Sequence, residues 1–311
     1  MSGKAVFIDC PAFLNQLYSA ELRAIVPDLI MNIGDPPGGD TAAMLAGVQG
    51  AINDHTLMDE ATLKACQDLK VIVFMGTGAS SYIDVDAAEK IGIRVRTIRD
   101  YGNRTVAEHA VALMFAAARR IAAMDSAIRD GVWETLDAME LEHKTLGVVG
   151  VGGIGREMVR LGQGLGMNVL AWNRSGVPGD LGCEECTLDE LMERSDVVSL
   201  HPSLNDETAG MIDAGRIALM QPHAILVNTA RGGVIDEPAL IVALKEGKIA
   251  HAGLDVFAEE PLPADHPLLT LGNVTLTAHS GFMTREASAR LLQMALEIMR
   301  EELSAMEGTT A

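Results

Sequence analysis

The stretch Leu146-Gly147-Val148-Val149-Gly150-Val151-Gly152-Gly153-Ile154-Gly155 decides the fold. An apolar, β-branched run passes directly into glycines spaced G-x-G-x-x-G, and Arg156 to Gly164 continues at helical period, so the segment reads strand, tight turn, helix. Gly150 suits the tight turn, Gly152 lets a ligand approach the backbone, and Gly155 allows close packing of helix on strand. The first helical amides, at Gly153 and Ile154, then form the kind of anion site that holds a diphosphate. Glycine-rich turns also arise for structural reasons alone. Here the preceding strand, the helix and the next strand, Asn168 to Trp172, all fall where a dinucleotide site requires them.

Outward from this turn, short β-branched runs alternate with helical patterns. Candidate strands run Thr145 to Val151, Asn168 to Trp172, Val197 to Leu200, Ala224 to Asn228, Ile249 to Asp255 and Val274 to Thr277. Six such strands fit a doubly wound parallel sheet. Upstream, Ala5 to Ile8, Leu29 to Ile33, Gly47 to Ile52, Val71 to Phe74 and Val95 to Ile98 make a smaller α/β unit of flavodoxin-like type. The pattern breaks at Asp100-Tyr101-Gly102-Asn103. A single apolar helix from Thr105 to about Arg129, roughly 37 Å long, is predicted to cross to the next domain. A final helix, Arg285 to Glu302, returns to the first unit, so the Rossmann domain is expected as an insertion. The expected limits are 1–101, 102–281 and 282–311, with residues 308–311 frayed.

Composition narrows the function. With 43 acidic against 24 basic residues the formal charge is −19, which disfavours nucleic acid and anionic membrane surfaces as partners. Aromatics at 4% beside 31 glycines suit helices packed on a parallel sheet better than a β-sandwich. Met1 to Asp9 lacks the features of a signal peptide, and no apolar run reaches about 18 residues, so a cytoplasmic protein is expected. Cys10, Cys66, Cys183 and Cys186 are too scattered for a disulfide framework. Cys183-Glu-Glu-Cys186 is formally CxxC, but no second ligand pair lies nearby. It reads as a polar connection, and no metal is expected.

The end of the strand after the glycine turn bears on which dinucleotide binds. A carboxylate there accepts from the ribose 2′-hydroxyl of NAD and repels the 2′-phosphate of NADP. This chain has Trp172-Asn173-Arg174-Ser175. Asn173 removes the repulsion, while Arg174 and Ser175 suit a phosphate, which favours NADP. NAD stays open, with Asn173 as its partner and Arg174 a solvated loop residue.

Three further segments follow strand ends: Asn228-Thr229-Ala230-Arg231-Gly232, Asp255-Val256-Phe257-Ala258-Glu259-Glu260-Pro261 and His279-Ser280-Gly281. In an open parallel sheet that edge is where ligands bind, and an Arg, a Glu and a His there are able to converge on one molecule. Together with the glycine turn and Val106-Ala107-Glu108-His109, these segments resemble the D-isomer-specific 2-hydroxyacid dehydrogenase family over nearly the whole chain.

The resemblance implies hydride transfer between NAD(P)H and a small 2-keto acid or D-2-hydroxy acid. In that chemistry Arg231 holds the substrate carboxylate and carbonyl, and His279 exchanges the proton, since an imidazole titrates near neutral pH. Glu260 orients His279, as the acid immediately before Pro; Glu259 is its rival. By the same resemblance Asp255 accepts from the nicotinamide carboxamide, and Thr229 and His201 line the cofactor cleft. Gly76-Thr77-Gly78-Ala79 resembles the substrate-carboxylate loop, with the amides of Gly78 and Ala79 as binders; its spacing to Ile83-Asp84 departs from the family pattern by about one residue. His55, His143, His223, His251 and His266 lack such context and read as surface or structural.

Formate dehydrogenases of the superfamily carry Gln at the Glu260 position and phosphite dehydrogenases a Lys in the substrate loop; neither is present. Asp100-Tyr101-Gly102 also resembles a segment of the NAD(H)-sensing corepressors built on this fold, which keep the Arg, Glu and His, so a binding protein is the alternative reading. The enzyme is expected as a homodimer.

Overall fold

The computed structural model describes residues 5–308. The chain divides into two compact units, one holding the residues up to Gly102 and from Thr284 onward, the other Asn103–Met283.

The first unit contains β1 (Ala5–Cys10), β2 (Leu29–Ile33), β3 (Gly50–Asn53), β4 (Val71–Phe74) and β5 (Arg94–Thr97), all parallel and ordered β2-β1-β3-β4-β5. That is the flavodoxin order. Strands buried on both faces need apolar side chains, and β4 supplies them throughout and β1 from Ala5 to Ile8. Phe7, Val71 and Val73 face a core shared with the helix Arg285–Gly308 through Leu292, Ala295 and Met299, while Val6, Ile8 and Ile72 face a second core with Leu45, Leu63 and Ile83. Buried Glu302 on that last helix pairs with Arg94, at 2.6 Å, and with Arg96, both on edge strand β5. The helix reaches Gly308, beyond its expected end, and residues 309–311 of the expected frayed tail lie outside the described residues.

The second unit is built on β6 (Thr145–Val149), β7 (Asn168–Trp172), β8 (Glu184–Glu185), β9 (Val197–Leu200), β10 (Ile225–Asn228), β11 (His251–Leu254) and β12 (Val274–Leu276), in the order β12-β11-β10-β9-β6-β7-β8. The order reverses at β6, the switch point of a doubly wound sheet. There are seven strands where the sequence reading expects six. The extra strand, β8, is the centre of the Cys183–Cys186 segment, read as a connection because two exposed glutamates carry no β signal; it pairs with Leu170 and Ala171 of β7.

The long helix expected over Thr105 to Arg129 is two helices, Asn103–Ala118 and Ile121–Arg129. Arg120 between them takes a left-handed conformation, φ 54°, which ends the first helix. The alanine-rich composition on both sides of Arg119-Arg120 hides this break, because composition and period do not record the backbone angle of one residue. Gly253 of β11 allows the first helix to lie close on the sheet: a Cβ there would stand 3.0 Å from Leu113 Cβ. Among the described residues no helix is long and apolar enough to cross a membrane.

Candidate active site

The glycine turn leads from β6 into the helix Gly153–Gly164, and each glycine meets a different constraint. Gly150 has φ 87°, and a Cβ on it would sit 2.9 Å from the Pro202 nitrogen. A Cβ on Gly155 would fall 1.9 Å from the Gly150 carbonyl oxygen, so helix and turn touch backbone to backbone. At Gly152 a Cβ would meet nothing within 4 Å. That open side, ahead of a helix start with no side-chain cap, is where a diphosphate would reach the amides of Gly153 and Ile154. Asn103, which the sequence reading treats only as a break in pattern, lies over Gly153, its Nδ2 within 2.2 Å of where a Cβ would be.

Two buried polar atoms at the ends of the next strands have no hydrogen-bond partner among the described residues: Nδ1 of His201, after β9, and Oγ1 of Thr229, after β10. Nε2 of His201 lies 2.9 Å from Ser199 Oγ, and burial pushes its pKa down to about 4, so the ring is neutral. Unsatisfied buried polar groups are rare in folded proteins, and these two fit a polar ligand in the cleft. The residues present therefore suit a dinucleotide.

At the end of β7 the structure adds two facts that the sequence conceals. The Asn173 amide is engaged within its own turn: Oδ1 accepts from the Val151 amide at 3.2 Å, while Nδ2 donates to Ser175 Oγ at 2.9 Å and to the Gly176 carbonyl at 3.0 Å. Arg174, expected to be available for a phosphate, forms an ion pair with Glu207 of the loop after β9. Both side chains are exposed, so the pair is weak and easily exchanged.

The catalytic candidates sit on three loops after β10, β11 and β12. Buried Asn228 folds the first: its Oδ1 accepts from the Ala230 amide and its Nδ2 donates to the Arg231 carbonyl, each at 3.0 Å. Arg231 is thereby turned outward, its guanidinium donating to the Ala230 carbonyl at 2.7 Å. The next residue must be glycine, because a Cβ on Gly232 would lie 1.9 Å from the Phe257 carbonyl carbon. The Arg231 loop thus lies directly against the loop that carries Glu260.

Glu260 holds that second loop by accepting from the Phe257 amide at 2.9 Å through Oε1, and its Oε2 lies 2.7 Å from His279 Nδ1. The rival Glu259 makes no such contact among the described residues. His279 has φ 48°, a left-handed conformation uncommon outside glycine, held by donation of its amide to the Asp255 carbonyl at 2.8 Å.

Asp255 organises the third loop. Oδ1 accepts from Thr277 Oγ1 at 2.6 Å and the Ser280 amide at 2.9 Å, and Oδ2 from the Gly281 amide at 2.9 Å. Burial raises its pKa, but these bonds, with His109 Nε2 at 3.3 Å, outweigh burial and hold the carboxyl at about 2. His109, noted in sequence only as part of a motif, also contacts Thr277 Oγ1 at 2.9 Å. A Cβ on Gly281 would come within 3.0 Å of Asp255 Oδ2, so this glycine is required for the approach.

Gly78 and Ala79 lie in the first unit, where Gly78 precedes a short turn of helix, Ala79–Ser81. Carbonyls of both residues accept within that turn, from the Ser81, Tyr82 and Ile83 amides.

Comparison with known proteins bears on these observations. Residues 111–281 match the model of the D-isomer specific 2-hydroxyacid dehydrogenase, NAD binding domain, which covers β6 to β12, the glycine turn and the loops of Arg231, Glu260 and His279, but not the Gly78–Ala79 loop. The chain belongs to the D-isomer specific 2-hydroxyacid dehydrogenase family. It is 40% identical over 249 residues to a glyoxylate reductase of Korarchaeum cryptofilum, covering 77% of this chain and 75% of that protein. It is also 40% identical over 241 residues to a D-3-phosphoglycerate dehydrogenase of Archaeoglobus fulgidus, covering 76% of this chain but only 46% of that longer protein. A solved acyclic imino acid reductase in complex with NADPH and D-Arg superposes with a TM-score of 0.85 at 29% identity, covering 97% of each chain. As a member of this family the protein is an NAD(P)-dependent oxidoreductase of 2-keto and D-2-hydroxy acids.

Proposed function

We propose that this dehydrogenase reduces glyoxylate, hydroxypyruvate or a closely related 2-keto acid, and prefers NADPH to NADH. The contact that carries the reading is His279 to Glu260, on a loop packed against the one that presents Arg231. Arg231 offers a fixed fork of donors to the substrate carboxylate and to the carbonyl oxygen as negative charge develops on it. His279 bound to Glu260 through Nδ1 keeps Nε2 for proton donation to that oxygen. Glu260 fixes the ring and stabilises it when protonated. When bound, the nicotinamide supplies the hydride. Asp255, with one lone pair of Oδ2 beyond its internal bonds, would accept from the carboxamide, and Gly78 and Ala79 would give amides to the substrate carboxylate.

The preference for NADPH rests on the absence of a carboxylate at Asn173 and on Arg174, whose pairing with Glu207 is weak enough to yield to a 2′-phosphate. Substrate and cofactor are both anions in a molecule of net charge −19, so Arg231, Arg174 and the glycine-turn amides supply the local positive potential. The protein is further proposed to work as a cytoplasmic homodimer, for which Ile121, Ile128, Val132 and Trp133, the last 89% exposed, offer an apolar strip. Initial rates of NADPH and NADH oxidation across a panel of 2-keto acids test the proposal. Turnover confined to NADH, or to none of the short 2-keto acids, overturns it.

A further inference from the structure

At the N-terminal edge of the seven-stranded sheet, opposite the loops of Arg231, Glu260 and His279, lies a cavity of about 370 Å³. Arg120, at the break between the two helices, lines it together with His251, the first residue of β11, and with Ala116, Ala123, Gly272 and Thr275. His251 is 4% exposed. Its Nε2 lies 3.0 Å from Thr275 Oγ1, and its Nδ1 is buried with no partner. Nε of Arg120 is likewise buried, and neither nitrogen has a hydrogen-bond partner among the described residues.

These two orphaned nitrogens point to one chemistry. Burial and the nearby Arg120 charge push the His251 pKa down to about 4, so the ring is neutral and carries a single N–H. Taking the Thr275 hydroxyl as the donor to Nε2 places that hydrogen on Nδ1. Arg120 remains a cation and has no carboxylate partner among the described residues, in a chain with 43 acids. It also occupies a left-handed position that Gly or Asn fills at lower cost, so its side chain is not there for the turn. A half-buried cation whose Nε is desolvated and a buried neutral N–H donor, both lining one cavity, call for an acceptor with negative charge.

We propose that this cavity binds a small oxyanion, a carboxylate or phosphate group gripped by the Arg120 guanidinium and the His251 Nδ1–H. The site is separate from the cofactor and substrate loops, which occupy the opposite edge of the same sheet.

The test is nitrogen-15 NMR of the histidine rings in the full-length protein, titrated at constant ionic strength with inorganic phosphate and, separately, with citrate. The His251 signal is assigned by its loss in His251→Gln. Arg120→Asn removes the charge while keeping a residue that tolerates positive φ. The His251 ring resonance is expected to shift saturably in the wild type, and the apparent affinity to fall about tenfold or more in Arg120→Asn, with turnover unchanged. A response to phosphate alone assigns a free phosphate site, and a response to citrate alone a site for organic carboxylates. A His251 signal that neither ion moves, or that moves equally in Arg120→Asn, overturns the proposal. Should Arg120→Asn fail to fold, thermal unfolding decides: phosphate raises the Tm of the wild type more than that of His251→Gln, and equal rises refute the site.

Discussion

Nδ1 of His279 lies 2.7 Å from Glu260 Oε2, while the other oxygen of the same carboxylate takes the Phe257 amide at 2.9 Å. One side chain thus closes its own loop and orients the imidazole of the next. The ring is held by a group that is itself held, which is how a positioned general acid is built. His279→Gln is expected to lower kcat about 10²- to 10⁴-fold with little change in cofactor affinity. Glu260→Gln keeps an acceptor but loses the charge, so its loss should be smaller and should alter the pH profile of kcat/KM. Steady-state kinetics with NADPH titrations check both, and full turnover in His279→Gln removes the assigned proton donor.

Gly232 fits because its missing Cβ would stand 1.9 Å from the Phe257 carbonyl carbon. Gly232→Ala must push the Arg231 loop away from the Glu260 loop, with an expected cost of about 1–3 kcal/mol from overpacking. Turnover should fall with cofactor affinity largely kept, because the glycine turn is elsewhere. Chemical denaturation and kinetics on one preparation read both effects.

Glu207 competes with a 2′-phosphate for Arg174. Glu207→Gln should lower the KM for NADPH several-fold and leave that for NADH unchanged, since the exposed pair contributes about 0–1 kcal/mol. Asn173→Asp acts the other way. It introduces the carboxylate that suits a ribose hydroxyl, and it removes the donor to Ser175 Oγ and the Gly176 carbonyl, so preference should move toward NADH with some loss of Tm. An unchanged NADPH to NADH ratio in both variants excludes this loop as the selector.

Asp255 ties acid stability to the catalytic loop. Its folded pKa, about 2, lies below the ordinary 3.8, so its contribution is fully present above the unfolded value and is lost as pH falls through about 2. The contribution near neutral pH is on the order of 2 kcal/mol. Asp255→Asn should be less stable than the wild type at about pH 7, and the gap should narrow between about pH 4 and 2. Thermal unfolding across that range checks the sign; a gap that widens on acidification rules it out.

Much of this molecule is legible in its residues taken in order. The glycine spacing at Gly150, Gly152 and Gly155, between an apolar strand and a helical run, determines a dinucleotide fold because a Cβ at Gly150 or Gly155 would strike backbone and Gly152 keeps the ligand side open. Both-face apolar strands such as Val71–Phe74 determine a parallel sheet for a similar local reason. The Arg, Glu and His segments mark the ligand edge because each follows a strand.

What depends on partners far along the chain was decided only by folding. The left-handed Arg120 splits a stretch whose composition reads as one helix. Two exposed glutamates become a strand because β7 offers an open edge. Glu260 stands before Pro in the sequence, but that its carboxylate reaches a histidine 19 residues later is set by the fold. Arg174 meets Glu207, and Arg120 and His251 come to line one cavity, across separations that no periodicity encodes. Sequence determines the local backbone and the burial of each face; which charged and polar side chains meet is settled by tertiary packing, because hydrogen bonds and ion pairs depend on distances that only the closed fold sets.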